Sequence, residues 1–167
     1  MPIARPRKEV IGGANTEGLP FSEAIRLGNL VFVSGTVGFD GAGRIVPGGV
    51  GPETRQTFAN VEKVLKQAGC TLADIVKVSV VLADPDDFDG YNAVYKTIFR
   101  DAPPARVTIA GHLTIDARLE VDVIAGVGAG AFAPKAGRQK PGSGKMAGPA
   151  KKGPTSAAAE TRRSRLG

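Results

Sequence analysis

The hydrophobic pattern changes its period between residues 53 and 82, and this change constrains the fold more than any other feature of the chain. Over residues 53–68, apolar side chains recur at the three- and four-residue spacing of one helix face. Gly69 ends that pattern. From Ile75 to Leu82, apolar residues occupy every second position, which is the spacing of a strand with one buried face. The sequence therefore predicts a helix followed by a strand, with the helix packed against a sheet.

Further strand and helix signals lie on both sides of this region. Gly28-Asn29 is a turn signal between two strands, and Asp84 before Pro85 is a typical N-cap for a second helix. The other predicted segments are strands over 22–27, 30–34, 105–111 and 118–126, a glycine-rich loop over 38–51, and a buried stripe on the second helix formed by Phe88, Tyr91, Tyr95, Ile98 and Phe99. The residues before 22 are predicted to be irregular. This order describes an α+β fold with two helices on one face of a mixed sheet.

The second face of that sheet also carries apolar residues. Residues 30–33 are apolar on both sides of their strand, and two helices cover only one side. We therefore expect the other side to be buried against further copies of the chain, with clefts between subunits.

The charge of the chain is unevenly distributed. The formal net charge is +6, but residues 1–134 contain 13 basic and 15 acidic side chains, whereas residues 135–167 contain nine basic residues and one acid. The sequence predicts a folded domain over 1–129 and a disordered basic tail, rich in Gly, Ala, Pro and Lys, over 130–167. The body, at net −2, lacks the positive surface of a nucleic-acid-binding domain.

The cysteine content and the hydropathy of the chain predict its cellular location. Cys70 is the only cysteine, so no intramolecular disulfide forms, and no apolar run has the length of a membrane span. A cytoplasmic location is expected. Cys70 and His112 are too few for a zinc site, and the spacing of the aspartates around Asp84 does not fit a calcium loop, so we expect no metal.

The run Pro103-Pro104-Ala105-Arg106 places an arginine at the entrance to a strand. The two prolines restrict the backbone and disfavour helix, so the guanidinium is attached to a well-defined segment. A guanidinium can give two parallel hydrogen bonds to a carboxylate. The run therefore indicates a carboxylate-binding site.

Several ordered blocks of this sequence resemble one known family. They are Leu19-Pro20-Phe21-Ser22-Glu23-Ala24, Gly28-Asn29-Leu30-Val31-Phe32-Val33-Ser34-Gly35, Thr54-Arg55-Gln56-Thr57 with Asn60-Val61, Asp74-Ile75-Val76-Lys77-Val78, Phe88 with Tyr91-Asn92 and Tyr95, and Pro103-Pro104-Ala105-Arg106. Over about residues 17–127 the chain resembles the Rid (YjgF/L-PSP) family of enamine/imine deaminases. The resemblance implies a chorismate-mutase-like α+β fold, a homotrimer with a ligand cleft between subunits, and hydrolysis of reactive 2-imino acids to 2-keto acids and ammonia without metal or organic cofactor.

The resemblance also assigns roles to individual residues. Arg106 matches the arginine that binds the substrate carboxylate, and Glu120 matches the acid that positions or activates the attacking water. Ser34 and Asn92 match positions lining the cleft. Two further cleft positions depart from the common pattern: Phe21 stands where many members have tyrosine, and Val107-Thr108 replaces the small residues after the arginine. Substrate preference is expected to differ accordingly.

Two other classes of function remain open from the sequence. The same arginine could hold a 2-keto acid without turnover, which would make the protein a ligand-binding regulator. Some members of the family are described as endoribonucleases or translation inhibitors, and the basic tail could bind RNA non-specifically.

Overall fold

The protein is a mixed α+β domain, described here from a computed structural model covering residues 7–14 and 18–131. Its strands are β1 (Lys8–Ala14), β2 (Ser22–Leu27), β3 (Leu30–Thr36), β4 (Ile75–Leu82), β5 (Ala105–Ala110) and β6 (Leu119–Gly126), and its helices are α1 (Val50–Gln67) and α2 (Phe88–Ile98). Apart from Gly130 and Ala131, the predicted tail over 130–167 lies outside the described residues. Within those residues, neither helix has the length and apolar character needed to cross a membrane.

The six strands form one sheet in the order β1-β2-β3-β6-β4-β5. All neighbouring strands are antiparallel except β4 and β5, which are parallel. The predicted turn at Gly28-Asn29 joins β2 to β3, and Gly28 has a φ of 61°, a conformation that glycine adopts without strain. The predicted mixed sheet is therefore confirmed, with β6 inserted between β3 and β4.

The chain before residue 22 was expected to be irregular, and that expectation is wrong. β1 pairs with β2 from Lys8↔Leu27 to Ile11↔Ala24. Ile11 is buried in the main core, although its neighbours do not alternate clearly between polar and apolar residues. Pairing with β2 supplies the ordering that this local pattern lacks.

Both helices pack on one face of the sheet. The core between the helices and the sheet comprises Val31, Val33, Phe58, Val61, Leu65, Val78, Val80, Tyr91, Leu119, Val121 and Val123. The predicted stripe of α2 is correct at Tyr91 and Tyr95, but Phe88 is 42% exposed. Asp84 accepts a hydrogen bond from the Asp86 N–H at 2.9 Å, so it caps a 3₁₀ turn that leads into α2.

The opposite face of the sheet, here called the open face, carries exposed apolar side chains. Phe32 lies opposite Ile124 across β3 and β6, and is 38% exposed. Val107 and Ile109 on β5 are 45% and 56% exposed. A surface of this kind favours association with another protein surface.

Asp74 fastens the end of the described chain to the start of β4. Its carboxylate accepts hydrogen bonds from the Thr71 N–H and from the Gly130 N–H, each at 2.8 Å, and from the Thr71 hydroxyl at 3.1 Å. Asp74 is only 7% exposed. Burial by itself would raise the pKa of Asp74, but these hydrogen bonds outweigh it, so the pKa lies below its ordinary value of 3.8.

Replacing Asp74 by asparagine is expected to reduce the free energy of unfolding by about 1–3 kcal/mol at pH 7, because charge-assisted hydrogen bonds to a buried carboxylate are lost. Since the folded pKa is depressed, this stabilisation is fully present above pH 3.8 and disappears as the pH falls through the folded pKa. Denaturant unfolding at pH 7 and pH 3 measures both effects. The exposed Asp116→Asn is the matched control, and equal stabilities of wild type and Asp74→Asn at pH 7 would contradict the prediction.

Candidate functional site

Arg106 lies near the start of β5, directly after Pro103-Pro104, as the sequence predicts. In the parallel pairing of β4 with β5, Arg106 lies opposite Val78 and Thr108 lies opposite Val80. Residues paired across neighbouring strands project to the same face of a sheet. Because Val78 and Val80 belong to the core under the helices, Arg106 and Thr108 also project to the helix side.

In an ordinary half-buried strand, the apolar side chains face the core and the polar ones face solvent. In β5 this arrangement is reversed. The apolar Val107 and Ile109 lie on the open face, and the polar Arg106 and Thr108 are half-buried on the helix side. β5 is an edge strand, so this inner position lies at the rim of the sheet rather than at its centre. A local pattern that breaks the usual rule in this way is characteristic of functional sites.

The guanidinium of Arg106 stacks on two tyrosines of α2. Its Cζ atom lies 4.5 Å from the ring centroid of Tyr95 and 5.3 Å from that of Tyr91. Such cation–π contacts contribute about 0.5–2 kcal/mol each and restrict the orientation of the charged group. Within residues 7–14 and 18–131, no carboxylate lies within 4.0 Å of the Arg106 nitrogens. The positive charge is therefore oriented but not neutralised by the described part of the chain.

Arg106 lines a cleft of about 410 Å³ at this edge of the sheet, here called the arginine cleft. Its walls include Asn92, Tyr95, Lys96, Phe99, Arg100 and Pro104. Cavities of this size hold small organic ligands. Arg106 and Asn92 therefore line the same cavity.

Three hydroxyl groups near Arg106 are buried without a hydrogen-bond partner among the described residues: Tyr91 Oη, Tyr95 Oη and Thr108 Oγ1. Burial raises the pKa of both tyrosines above the ordinary value of 10, and the nearby Arg106 charge only partly opposes that rise. Both phenols are therefore neutral at physiological pH. They can donate or accept hydrogen bonds but do not serve as bases.

Glu120 lies on the other side of the sheet. It is paired with Val81 across β6 and β4, whereas the neighbouring Val80 and Val121 face the core. The backbones of β5 and β6 are separated by β4, and so lie about 10 Å apart. Arg106 and Glu120 therefore do not meet within one chain.

Ser34 and Gly35 accompany Glu120. A side chain at Gly35 would overlap the Glu120 carboxylate, so glycine leaves the space that this carboxylate occupies. The Ser34 hydroxyl donates a 2.7 Å hydrogen bond to the carbonyl of Ser22, which follows the half-exposed Phe21. The six predicted site residues are therefore divided. Arg106 and Asn92 line the arginine cleft, and Thr108 projects to the same face of β5 as Arg106. Glu120 lies beside Gly35, the residue after Ser34, and Phe21 directly precedes Ser22, whose carbonyl accepts the Ser34 hydrogen bond.

Sequence reasoning missed several residues of the arginine cleft. Tyr95 was assigned to the buried stripe of the second helix without a role in the site, and Lys96 and Arg100 received no role. The spacing of Asn92, Lys96 and Arg100 at intervals of four is the signal that places them along one side of α2 and its C-terminal extension. Within the described residues, no group of three or more His, Cys, Asp or Glu side chains is arranged to hold a metal ion.

Known proteins with similar sequences belong to one family. The family described as Endoribonuclease L-PSP matches residues 15–127. The chain is 40% identical over 108 residues to the 2-iminobutanoate/2-iminopropanoate deaminase of Mus musculus, covering 64% of this chain and 80% of that protein. For the Homo sapiens protein of the same name, identity is 35% over 122 residues, covering 71% and 89%.

Solved structures of the same fold give a consistent result. The Rid-family protein YyfA of Yersinia pestis has a TM-score of 0.67 and 32% identity, covering 72% of this chain and 100% of that one. The YjgF gene product of E. coli has a TM-score of 0.65 and 31% identity, covering 71% and 98%. This chain therefore belongs to the endoribonuclease L-PSP family, the Rid (YjgF) family.

Proposed function

We propose that this protein hydrolyses 2-imino acids to 2-keto acids and ammonia, at sites shared between two copies of the chain in a homotrimer. The observation that carries the proposal is the state of Arg106: a half-buried guanidinium, oriented by two tyrosine rings, faces a small-molecule cleft without a carboxylate partner in the described residues. A substrate carboxylate is the complementary ligand for such a group. Relatives named imine deaminases agree with this chemistry.

The reaction needs few steps. Arg106 pairs with the substrate carboxylate and fixes the imine carbon in the cleft. Water, positioned by Glu120, adds its oxygen to that carbon as the imine nitrogen gains a proton. The carbon–nitrogen bond of the resulting carbinolamine then breaks, releasing ammonia, and loss of the hydroxyl proton leaves the 2-keto acid. Because the imine is already reactive, positioning and proton transfer suffice.

A second chain is required because the two key residues project from opposite faces of the sheet. If the open face of one subunit packs beside the β5 edge of another, Glu120 of one chain can reach the arginine cleft of the next. The exposed apolar residues Phe32, Val107 and Ile109 on the open face favour this association. The site then takes Arg106, Asn92 and Thr108 from one chain, and Glu120, Ser34 and Phe21 from its neighbour.

Endoribonuclease activity is the alternative suggested by the description of the family. RNA binding needs a basic surface that neutralises phosphates, and residues 1–134 have more acidic than basic side chains. The positive charges of the arginine cleft are confined to one small concavity, which suits a small anion better than a polymer. We therefore favour the deaminase function.

The proposal is tested by generating an imine with an amino acid oxidase in the presence of semicarbazide, which traps unhydrolysed imine. Adding this protein is expected to lower the yield of the semicarbazone in proportion to enzyme concentration, while heat-denatured protein leaves it unchanged. Unchanged yield with the folded protein would contradict the proposal. If a 2-keto acid nevertheless bound in calorimetry, the protein would be a ligand-binding regulator.

A further inference from the structure

The arginine cleft contains more positive charge than a monocarboxylic substrate needs. Arg106, Lys96 and Arg100 all line it, and no acidic residue is among its lining residues. Lys96 lies in the last turn of α2, and Arg100 lies just beyond the helix end. Three cationic residues thus line one space of about 410 Å³.

Lys96 and Arg100 are also unpaired. Both are exposed, and across residues 7–14 and 18–131 neither forms an ion pair with an Asp or Glu side chain. Three exposed cations of the described residues do form ion pairs: Arg44 with Asp40 at 3.2 Å, Lys66 with Glu62 at 3.3 Å, and Arg118 with Asp87 at 2.9 Å. Lys96 and Arg100 are among the cations that the described residues leave without an acidic partner. A favourable interaction with the negative C-terminal end of α2 explains a cation at Lys96. It does not explain Arg100, which lies outside the helix.

The charge balance of the assembled site also favours a second negative charge on the substrate. If one glutamate from a neighbouring chain enters the cleft, it compensates one of the three cations. A monocarboxylic substrate on Arg106 then leaves one positive charge without a counterion. A dicarboxylic substrate would neutralise the site completely, and complementary charge is the usual basis of selectivity in such a cleft.

We propose that Lys96 and Arg100 form a second anion subsite, and that the preferred substrates are 2-imino dicarboxylic acids whose side-chain carboxylate occupies it. This inference rests on the proposed deaminase function and specifies its substrate class. Arg106 binds the carboxylate adjacent to the imine carbon. The flexible stem of Lys96 and the guanidinium of Arg100 meet the second carboxylate at the outer end of the cleft.

The test compares two imines of equal chain length, produced by oxidases from glutamate and from norvaline. They differ in that a carboxylate replaces a terminal methyl group. With full-length wild-type protein, kcat/KM measured by semicarbazide competition is expected to be higher for the dicarboxylic imine. The Lys96→Gln/Arg100→Gln double variant is expected to reduce the dicarboxylic-to-monocarboxylic ratio about 5- to 10-fold, as two exposed ion pairs would.

The exposed Lys63→Gln on α1 is the matched control and is expected to keep the wild-type ratio, because Lys63 does not line the cleft. Raising the salt concentration is expected to lower the wild-type ratio towards that of the double variant. If wild type hydrolyses the monocarboxylic imine equally well or better, or if the double variant keeps the wild-type ratio, the subsite is wrong while the deaminase function stands. Hydrolysis of neither imine overturns both.

Discussion

Replacing Arg106 by alanine is expected to lower kcat/KM for imine hydrolysis about 100- to 1,000-fold. A bidentate, charge-assisted pairing with a carboxylate contributes about 1.5–3 kcal/mol. Loss of the orientation that this pairing imposes on the imine carbon lowers the rate further. The measurement is the rate of imine hydrolysis under semicarbazide competition, with far-ultraviolet circular dichroism as the check that the variant folds.

Arg106→Lys separates charge from geometry. Lysine keeps the positive charge but has neither the planar fork nor the same stacking on Tyr95. We expect this variant to recover only part of the lost activity, about tenfold above alanine. The matched control is Arg44→Ala, because Arg44 forms an exposed ion pair with Asp40 in a loop away from the cleft. Wild-type activity in Arg106→Ala would remove the basis of the deaminase proposal.

Mixing two inactive variants is expected to restore activity, and this is the second large effect. Arg106→Ala chains keep Glu120, and Glu120→Gln chains keep Arg106. If each site combines Arg106 of one chain with Glu120 of another, then co-refolding equal amounts produces an intact pair in about a quarter of the sites. Activity should therefore rise from nearly zero to about a quarter of the wild-type value.

The outcome distinguishes a shared site from a site within one chain. Simple mixing of the folded variants without subunit exchange is the control and should show no recovery. Refolding each variant alone should likewise give only residual activity. If the co-refolded mixture were as inactive as its components, although mixed oligomers formed, then Arg106 and Glu120 would not act in a common intersubunit site.

The local elements of this fold were predictable because their signals are local. The bounds of β4 agree with the alternation over Ile75–Leu82, and the β2–β3 turn lies at Gly28-Asn29, where the chain requires a positive φ. Asp84 caps its turn as its position before Pro85 suggests. Hydrophobic period, turn chemistry and capping each depend on a few consecutive residues, so a single sequence contains them.

Elements without a local signal were missed. β1 has no clear alternation, and its order depends on pairing with β2. Phe88 has the helical spacing of a core residue, but it is the first residue of α2 and is 42% exposed. In both cases tertiary contacts, or their absence, outweighed the pattern.

The sequence by itself determined the family, the helices, most of the strands, and the presence of a conformationally restricted Arg106 at a strand entrance. Only the tertiary structure decided which face of the sheet each site residue occupies. From the sequence pattern, the apolar Val107 and Ile109 would be expected to face the core. Pairing with β4 instead turns Arg106 towards the helices, against Tyr95, and the pairing of β6 with β4 leaves Glu120 on the opposite face. The physical reason is that facing depends on the register with a strand distant in sequence, and no local period encodes that register.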